Sequence, residues 1–139
     1  MITELTQGHA DLRVLMLDFA RAMEGASPDD MPTLAQKRIA FSQLFRDHMA
    51  REEAMTSALP RADLPPEQEQ VVRDHHRGIV ALFLRYSEHV KCWTPAQIAT
   101  DWPTYRKAVL ALQDELRERM AWEEAHLHPL LGKDRRIAA

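Results

Sequence analysis

The sequence predicts an all-α protein, an up-down antiparallel bundle of four helices. Apolar residues recur at steps of three and four in four long stretches, which is the spacing of one face of an α-helix. Prolines and glycines separate these stretches, and none of them alternates with the period of two that a strand would show. The short connections favour antiparallel neighbours, and 139 residues suit a single domain, which we place over residues 1–139.

The first half of the chain predicts two helices. We expect the first over 3–24, and its stripe is Leu5, His9, Leu12, Met16, Phe19 and Met23. The run from Gly25 to Asp30 breaks it. We expect the second helix over 32–59, ending before Pro60. Its inner face would hold Ile39, Phe41, Leu44, Phe45, His48, Glu52 and Met55.

The second half predicts two more long helices. The third is expected over 66–92, and its stripe is Val72, His76, Ile79, Phe83 and Tyr86. Pro95 opens a short helical turn that runs through Thr100. The fourth helix is expected over 103–127, with Val109, Leu112, Leu116 and Met120 facing inward. Pro129 and Gly132 would end it, and residues 133–136 would form a charged, solvated tail.

Composition and charge exclude several classes of protein. The formal net charge of −3 argues against a nucleic-acid surface, which needs a concentrated positive excess. No apolar run approaches 18 residues, so we expect no membrane span, and residues 1–9 lack the features of a signal peptide. Cys92 is the only cysteine, which excludes an intrachain disulfide and favours a cytoplasmic setting.

Two segments of the chain, 49–54 and 120–125, share the pattern Met-Ala-x-Glu-Glu-Ala. In the first copy His48 precedes Glu52 by four residues, which places both side chains on one face of a helix. Imidazole and carboxylate at that spacing suit a transition metal. In the second copy Glu123 keeps its place, but Arg119 stands where His48 stood.

The repeat extends to the helix before each copy. His9 is followed by apolar residues at steps of three, seven and ten, and His76 is followed by residues of the same kind at the same steps. Each half of the chain is therefore interpreted as one helical hairpin. Two hairpins related by a pseudo-twofold axis would bring five side chains to one level of the bundle: His9, His48, Glu52, His76 and Glu123.

At these residues the chain resembles the hemerythrin-like, or HHE cation-binding, family over about residues 3–131. The resemblance implies a four-helix bundle with a non-haem iron centre, to which His9, His48, Glu52, His76 and Glu123 would be the metal ligands. Glu52 matches the bridging carboxylate. The family's fourth-helix histidine is replaced by Arg119, which cannot coordinate a metal because its guanidinium stays charged.

The implied function is binding or sensing of oxygen or nitric oxide, or iron handling, with one or two iron ions. Three arrangements stay open: a mononuclear site, a two-metal site completed by another donor, or an Arg–Glu network without metal. The candidate extra donors are His126 and then His75. The metal-free arrangement would make the protein an interaction or signalling module, and an incomplete iron site could carry weak oxidase or peroxidase activity.

The remaining polar residues have simpler interpretations. His48 with Glu52 could be an intrahelical surface pair, and His9 could be a core histidine with a backbone partner. Glu53 and Glu124 are expected to face solvent or to support a ligand. His89 and His128 are expected on the surface.

Overall fold

The computed structural model describes residues 2–132, and all of their regular structure is helical. The five α-helices are α1 (Ile2–Glu24), α2 (Met31–Ser57), α3 (Pro66–Cys92), α4 (Pro95–Thr100) and α5 (Trp102–Trp122). Two short 3₁₀ turns, Pro28–Asp30 and Arg61–Asp63, lie before α2 and before α3. The prediction of an all-α protein is confirmed. Within residues 2–132, no helix combines the length and the apolar character that crossing a membrane requires.

Local signals set most helix ends. Ser27 caps the first 3₁₀ turn through its side chain, and prolines occupy the first turn of α2, α3, α4 and α5. Thr94 caps α4, so the short helical turn predicted through Thr100 is confirmed. Asp101 caps α5 by accepting a hydrogen bond from the backbone N–H of Thr104. These ends were predictable because each depends on one or two neighbouring residues.

The predicted end of the last helix is wrong. Glu123–Leu127 forms a π-helical turn after α5, and the helix then continues over residues 128–132, so Pro129 lies inside it. A proline inside an α-helix lacks the N–H donor and collides with the preceding turn. The π turn just before Pro129 is an irregularity of the kind that helices show near prolines. The predicted tail at residues 133–136 lies outside the described residues.

The contacts between α1 and α2 run in reverse order along the two helices. Lys37, near the start of α2, forms an ion pair of 2.7 Å with Asp18, near the end of α1. The rings of His48 and His9, from the second half of α2 and the first half of α1, lie 4.6 Å apart. The second half of α2 therefore packs beside the first half of α1.

The contacts between α3 and α5 also run in reverse order along the two helices. Arg119, near the end of α5, reaches His75 in the first half of α3. Glu115, one turn earlier in α5, pairs with Arg85, further along α3. The start of α3 thus reaches the same level of the molecule as the end of α5.

Three apolar clusters follow one another along the interior. The clusters are Leu5, Met55, Leu59, Val72, Leu127 and Leu131; then Leu12, Met16, Leu116 and Met120; then Phe19, Met23, Leu34, Ile98, Tyr105 and Val109. Burying one such side chain is worth about 1.5–3 kcal/mol. His9 lies in sequence between Leu5 of the first cluster and Leu12 of the second, so polar residues separate these two apolar layers.

Two residues predicted to face inward are exposed. Ile39 is 53% exposed and Phe83 is 43% exposed. Ile39 precedes His48 by nine residues, which at 100° per residue is half a turn, so it lies on the opposite face of α2. Phe83 follows His76 by seven residues, and both belong to a face of α3 that is not the buried one.

Candidate metal centre

Six buried polar side chains meet between the first two apolar layers. They come from α1, α2, α3 and the helical segment that follows α5, and none is more than 5% exposed. We call this group the polar cluster: His9, His48, Glu52, His75, Glu123 and His128. Buried ionisable groups are costly unless they are paired or bind a metal. Their partners therefore decide what the cluster can do.

Four members of the polar cluster can surround one ion. His9, His48, Glu52 and Glu123 each offer a ligand atom, and the four atoms lie within 4.8 Å of one another. Nitrogen and oxygen ligands sit about 2 Å from a bound ion, so any two donors of one ion lie at most about 4 Å apart. A small contraction would bring the four donors to that spacing. The cluster could thus hold a metal ion.

Two atoms of this set have no hydrogen-bond partner among residues 2–132. They are His48 Nε2 and Glu52 Oε1, and both are buried. His48 Nε2 lies 3.5 Å from the other oxygen of Glu52. An unsatisfied buried polar atom costs about 1–3 kcal/mol. An ion that accepts both lone pairs would remove that cost, so the donors present fit a cation.

The carboxylate of Glu124 contacts the ring nitrogen of His9 that does not face Glu123. Its Nδ1 lies 2.7 Å from Glu124 Oε2, and Arg13 donates two hydrogen bonds, of 2.8 and 3.0 Å, to the same carboxylate. The Nδ1 proton therefore belongs to the bond with Glu124, and Nε2 faces Glu123 Oε1 at 3.2 Å. A histidine that binds a metal commonly donates its other N–H to a carboxylate in this way.

The electrostatics around His9 favour positive charge. Burial lowers the pKa of His9, but hydrogen bonds to Glu123 and Glu124 outweigh burial, so its pKa is raised. The hydrogen bonds from Arg13 hold the pKa of Glu124 below its usual range. A proton or a metal ion at His9 Nε2 is therefore stabilised by two carboxylates.

Arg119 contacts two members of the polar cluster, His75 and Glu123. Its Nη2 lies 2.6 Å from His75 Nδ1 and donates to the His75 backbone oxygen at 2.9 Å, while Nε donates to Glu123 Oε2 at 3.3 Å. The guanidinium only donates, so its contact assigns the acceptor role to His75 Nδ1 and the ring proton to Nε2, although Glu123 Oε2 also lies 3.3 Å from Nδ1. That Nε2 is 3.6 Å from Glu52 Oε1. His75 thus has no free lone pair for a metal while Arg119 holds it.

Two helical glycines make room for His48 and Arg119, the side chains at the equivalent position of the two copies of the repeat. A Cβ placed on Gly8 would overlap the imidazole of His48, and one placed on Gly78 would overlap the guanidinium of Arg119. His48 and Arg119 are equivalent in the two copies of the repeat. In each half of the molecule, the inward side chain at this position therefore packs against a glycine of the neighbouring helix. Sequence reasoning missed both glycines, although a glycine in the middle of a predicted helix is itself a signal.

The Gly8→Ala substitution is expected to destabilise the protein by about 1–3 kcal/mol because the new methyl group displaces His48. Alanine normally stabilises a helix relative to glycine by up to about 1 kcal/mol. The control is Gly25→Ala, where a Cβ meets nothing within 4 Å and no positive φ is involved. Urea denaturation measures both variants. A Gly8→Ala protein as stable as Gly25→Ala would contradict the close packing of His48.

The structure brings together four of the five predicted ligands. His9, His48, Glu52 and Glu123 converge, and their role as ligands stays a prediction. The expected inward position of His76 is wrong: its side chain is 42% exposed, and its Nδ1 lies 3.7 Å from Glu53. Neighbouring residues on a helix point about 100° apart, and on α3 the buried face passes through the preceding histidine, His75.

The last helix also differs from expectation. His126, the first candidate for an extra donor, is exposed, and His128, expected on the surface, is 5% exposed. His128 Nε2 lies 2.9 Å from Glu52 Oε2. The cause is the π turn, in which the backbone N–H of His128 bonds to the carbonyl of Glu123 five residues earlier. That register places His128, rather than His126, against Glu52.

Comparisons with protein-family models, with curated proteins and with solved structures found no match to this chain. The class of protein is therefore defined by its own fold and site. It is an all-helical protein with a buried His/Glu cluster that could hold a metal ion.

Proposed function

We propose that the protein is a hemerythrin-like bundle that binds a single non-haem iron ion in the polar cluster. The observation that carries the proposal is the pair of unsatisfied buried atoms, His48 Nε2 and Glu52 Oε1, within a set of four convergent donors. Its role would be to bind or sense a small diatomic ligand, oxygen or nitric oxide, or to handle iron.

The donor set supports iron more than the alkaline-earth ions. Two imidazoles and two carboxylates form a mixed nitrogen and oxygen set, which suits iron and zinc, whereas calcium and magnesium prefer oxygen alone. The resemblance of the His-x-x-x-Glu motif to the hemerythrin-like family favours iron between the two. Bound iron would supply a redox-active centre that can take a diatomic ligand.

The charges support one ion rather than two. Glu52 and Glu123 together balance a divalent ion, and the guanidinium of Arg119 already bonds to Glu123 in the other half of the cluster. A second divalent ion would face that guanidinium at close range, with no further buried carboxylate in the cluster to offset it. His75 would also have to give up its bond to Arg119.

The up-down arrangement of the family is part of the proposal. It is supported by the reversed order of contacts between α1 and α2 and between α3 and α5. The apolar layers on either side of the polar cluster would limit the access of water to a bound ion.

The test is anaerobic loading of the purified protein with ferrous iron, followed by metal analysis after desalting. We expect about one iron per chain, a higher melting temperature than that of the metal-free protein, and a paramagnetic resonance signal when nitric oxide is added. Retention of zinc but not iron would contradict the iron assignment.

A metal-free interaction module is the second candidate, and one observation favours it. Arg119, His75 and Glu123 already form a buried network without any metal. The same loading experiment separates the two candidates. If neither iron, zinc nor manganese is retained and none raises the melting temperature, the metal-free module is the better description.

A further inference from the structure

A partly open apolar cavity lies on the far side of the Leu12 and Met120 layer from the polar cluster. This apolar cavity has a volume of about 250 Å³ and is bounded by α1, α2, α3 and α5. Its walls are mostly apolar side chains, among them Met16, Phe41, Phe45, Leu82, Val109 and Leu116.

Positive charge lies along one wall of the apolar cavity. Arg38, Ser42 and Arg46 follow one another at steps of four on α2, so they form one stripe beside the apolar lining. Among residues 2–132, no carboxylate lies within 4.0 Å of either guanidinium, although such pairs are found for many other arginines of the protein. The lining contains no acidic residue.

The arginines carry the positive charge of the lining, and several of its other polar groups bond to one another or to the backbone. The hydroxyls of Ser42 and Tyr86 bond to each other at 3.2 Å. Gln113 donates to the backbone oxygen of Met16 at 3.0 Å. Burial lowers the pKa of His89, and the nearby charge of Arg38 lowers it further, so this imidazole adds little positive charge of its own.

We propose that the apolar cavity binds a medium-chain carboxylic acid, with its hydrocarbon chain among the apolar side chains and its carboxylate at Arg38. Ligand pockets commonly combine an apolar lining with a few polar groups that fix orientation, and a guanidinium suits a carboxylate because both are planar. Arg38 is the anchor because it is partly buried, whereas Arg46 is exposed. The site is separate from the polar cluster and requires no metal.

The test is calorimetric titration of the full chain with octanoate at low ionic strength, with 1-octanol as the uncharged comparison. We expect one octanoate per chain, bound at least tenfold more tightly than octanol. Arg38→Gln is expected to weaken octanoate binding about tenfold to hundredfold and to leave octanol binding unchanged. The control is Arg51→Gln, an exposed arginine of α2 outside the cavity lining, which should change neither.

A second variant tests whether octanoate binds in the apolar cavity. Leu112→Trp would fill the apolar cavity, and it is expected to abolish the binding of both octanoate and octanol. Equal affinities for the two ligands would overturn the proposal, as would octanoate binding that survives Arg38→Gln or Leu112→Trp. A chain that sediments as a dimer and binds neither ligand would also overturn it, because a second copy would then cover the cavity.

Discussion

Glu52→Gln is expected to lower iron affinity by more than about a hundredfold. Glu52 is fully buried, and its carboxylate lies among three imidazoles, with oxygen-to-nitrogen distances of 3.5 Å to His48, 3.6 Å to His75 and 2.9 Å to His128. Glutamine keeps the shape but removes the charge that would balance a cation. Changes to groups that merely support a ligand cost about ten- to a hundredfold, so loss of a charged ligand should cost more.

The matched control is Glu53→Gln, which makes the same substitution one residue further along α2. The Glu53 side chain is 53% exposed and faces His76 outside the polar cluster. Its iron affinity should stay within about twofold of that of the natural protein. Circular dichroism checks that both variants are folded, and a competition titration with a chelator gives the affinities. If the two variants bind iron equally well, the ion is not held in the polar cluster.

The sequence predicted the helical class and most helix ends because these depend on local signals. Prolines in first turns and capping side chains such as Thr94 and Asp101 act within one turn of the chain. His48 and Glu52 were predictable for the same reason, since four residues of one helix fix their common face.

The parts of the site that sequence reasoning missed or ranked wrongly depend on contacts between helices. His75 and His76 are adjacent, and the choice between them is made by the packing of α3 against Glu52 and Arg119. His128 is placed by the π turn, for which Pro129 inside the helix was the available signal. The roles of Gly8 and Gly78 become visible only when the neighbouring helix is in place.

Arg119→His is expected to raise the iron content from about one to about two ions per chain. The substitution restores a His-x-x-x-Glu motif with Glu123 in the second half of the repeat. It also removes the guanidinium charge and frees His75 Nδ1 from its 2.6 Å contact. In the metal-free state the variant should lose on the order of 3 kcal/mol of stability, because it leaves Glu123 buried without its guanidinium partner. Bound metal should restore that stability.

Arg117→His is the matched control because it makes the same change two residues earlier on α5. Arg117 is 42% exposed and pairs with Asp114, so its replacement should leave the iron content at about one and the stability nearly unchanged. Iron analysis after desalting and thermal melting with and without iron measure both variants. If Arg119→His still binds one ion, the second half of the repeat is not a latent metal site. Arg119 would then be a structural partner of Glu123 and His75 rather than the residue that limits the centre to one ion.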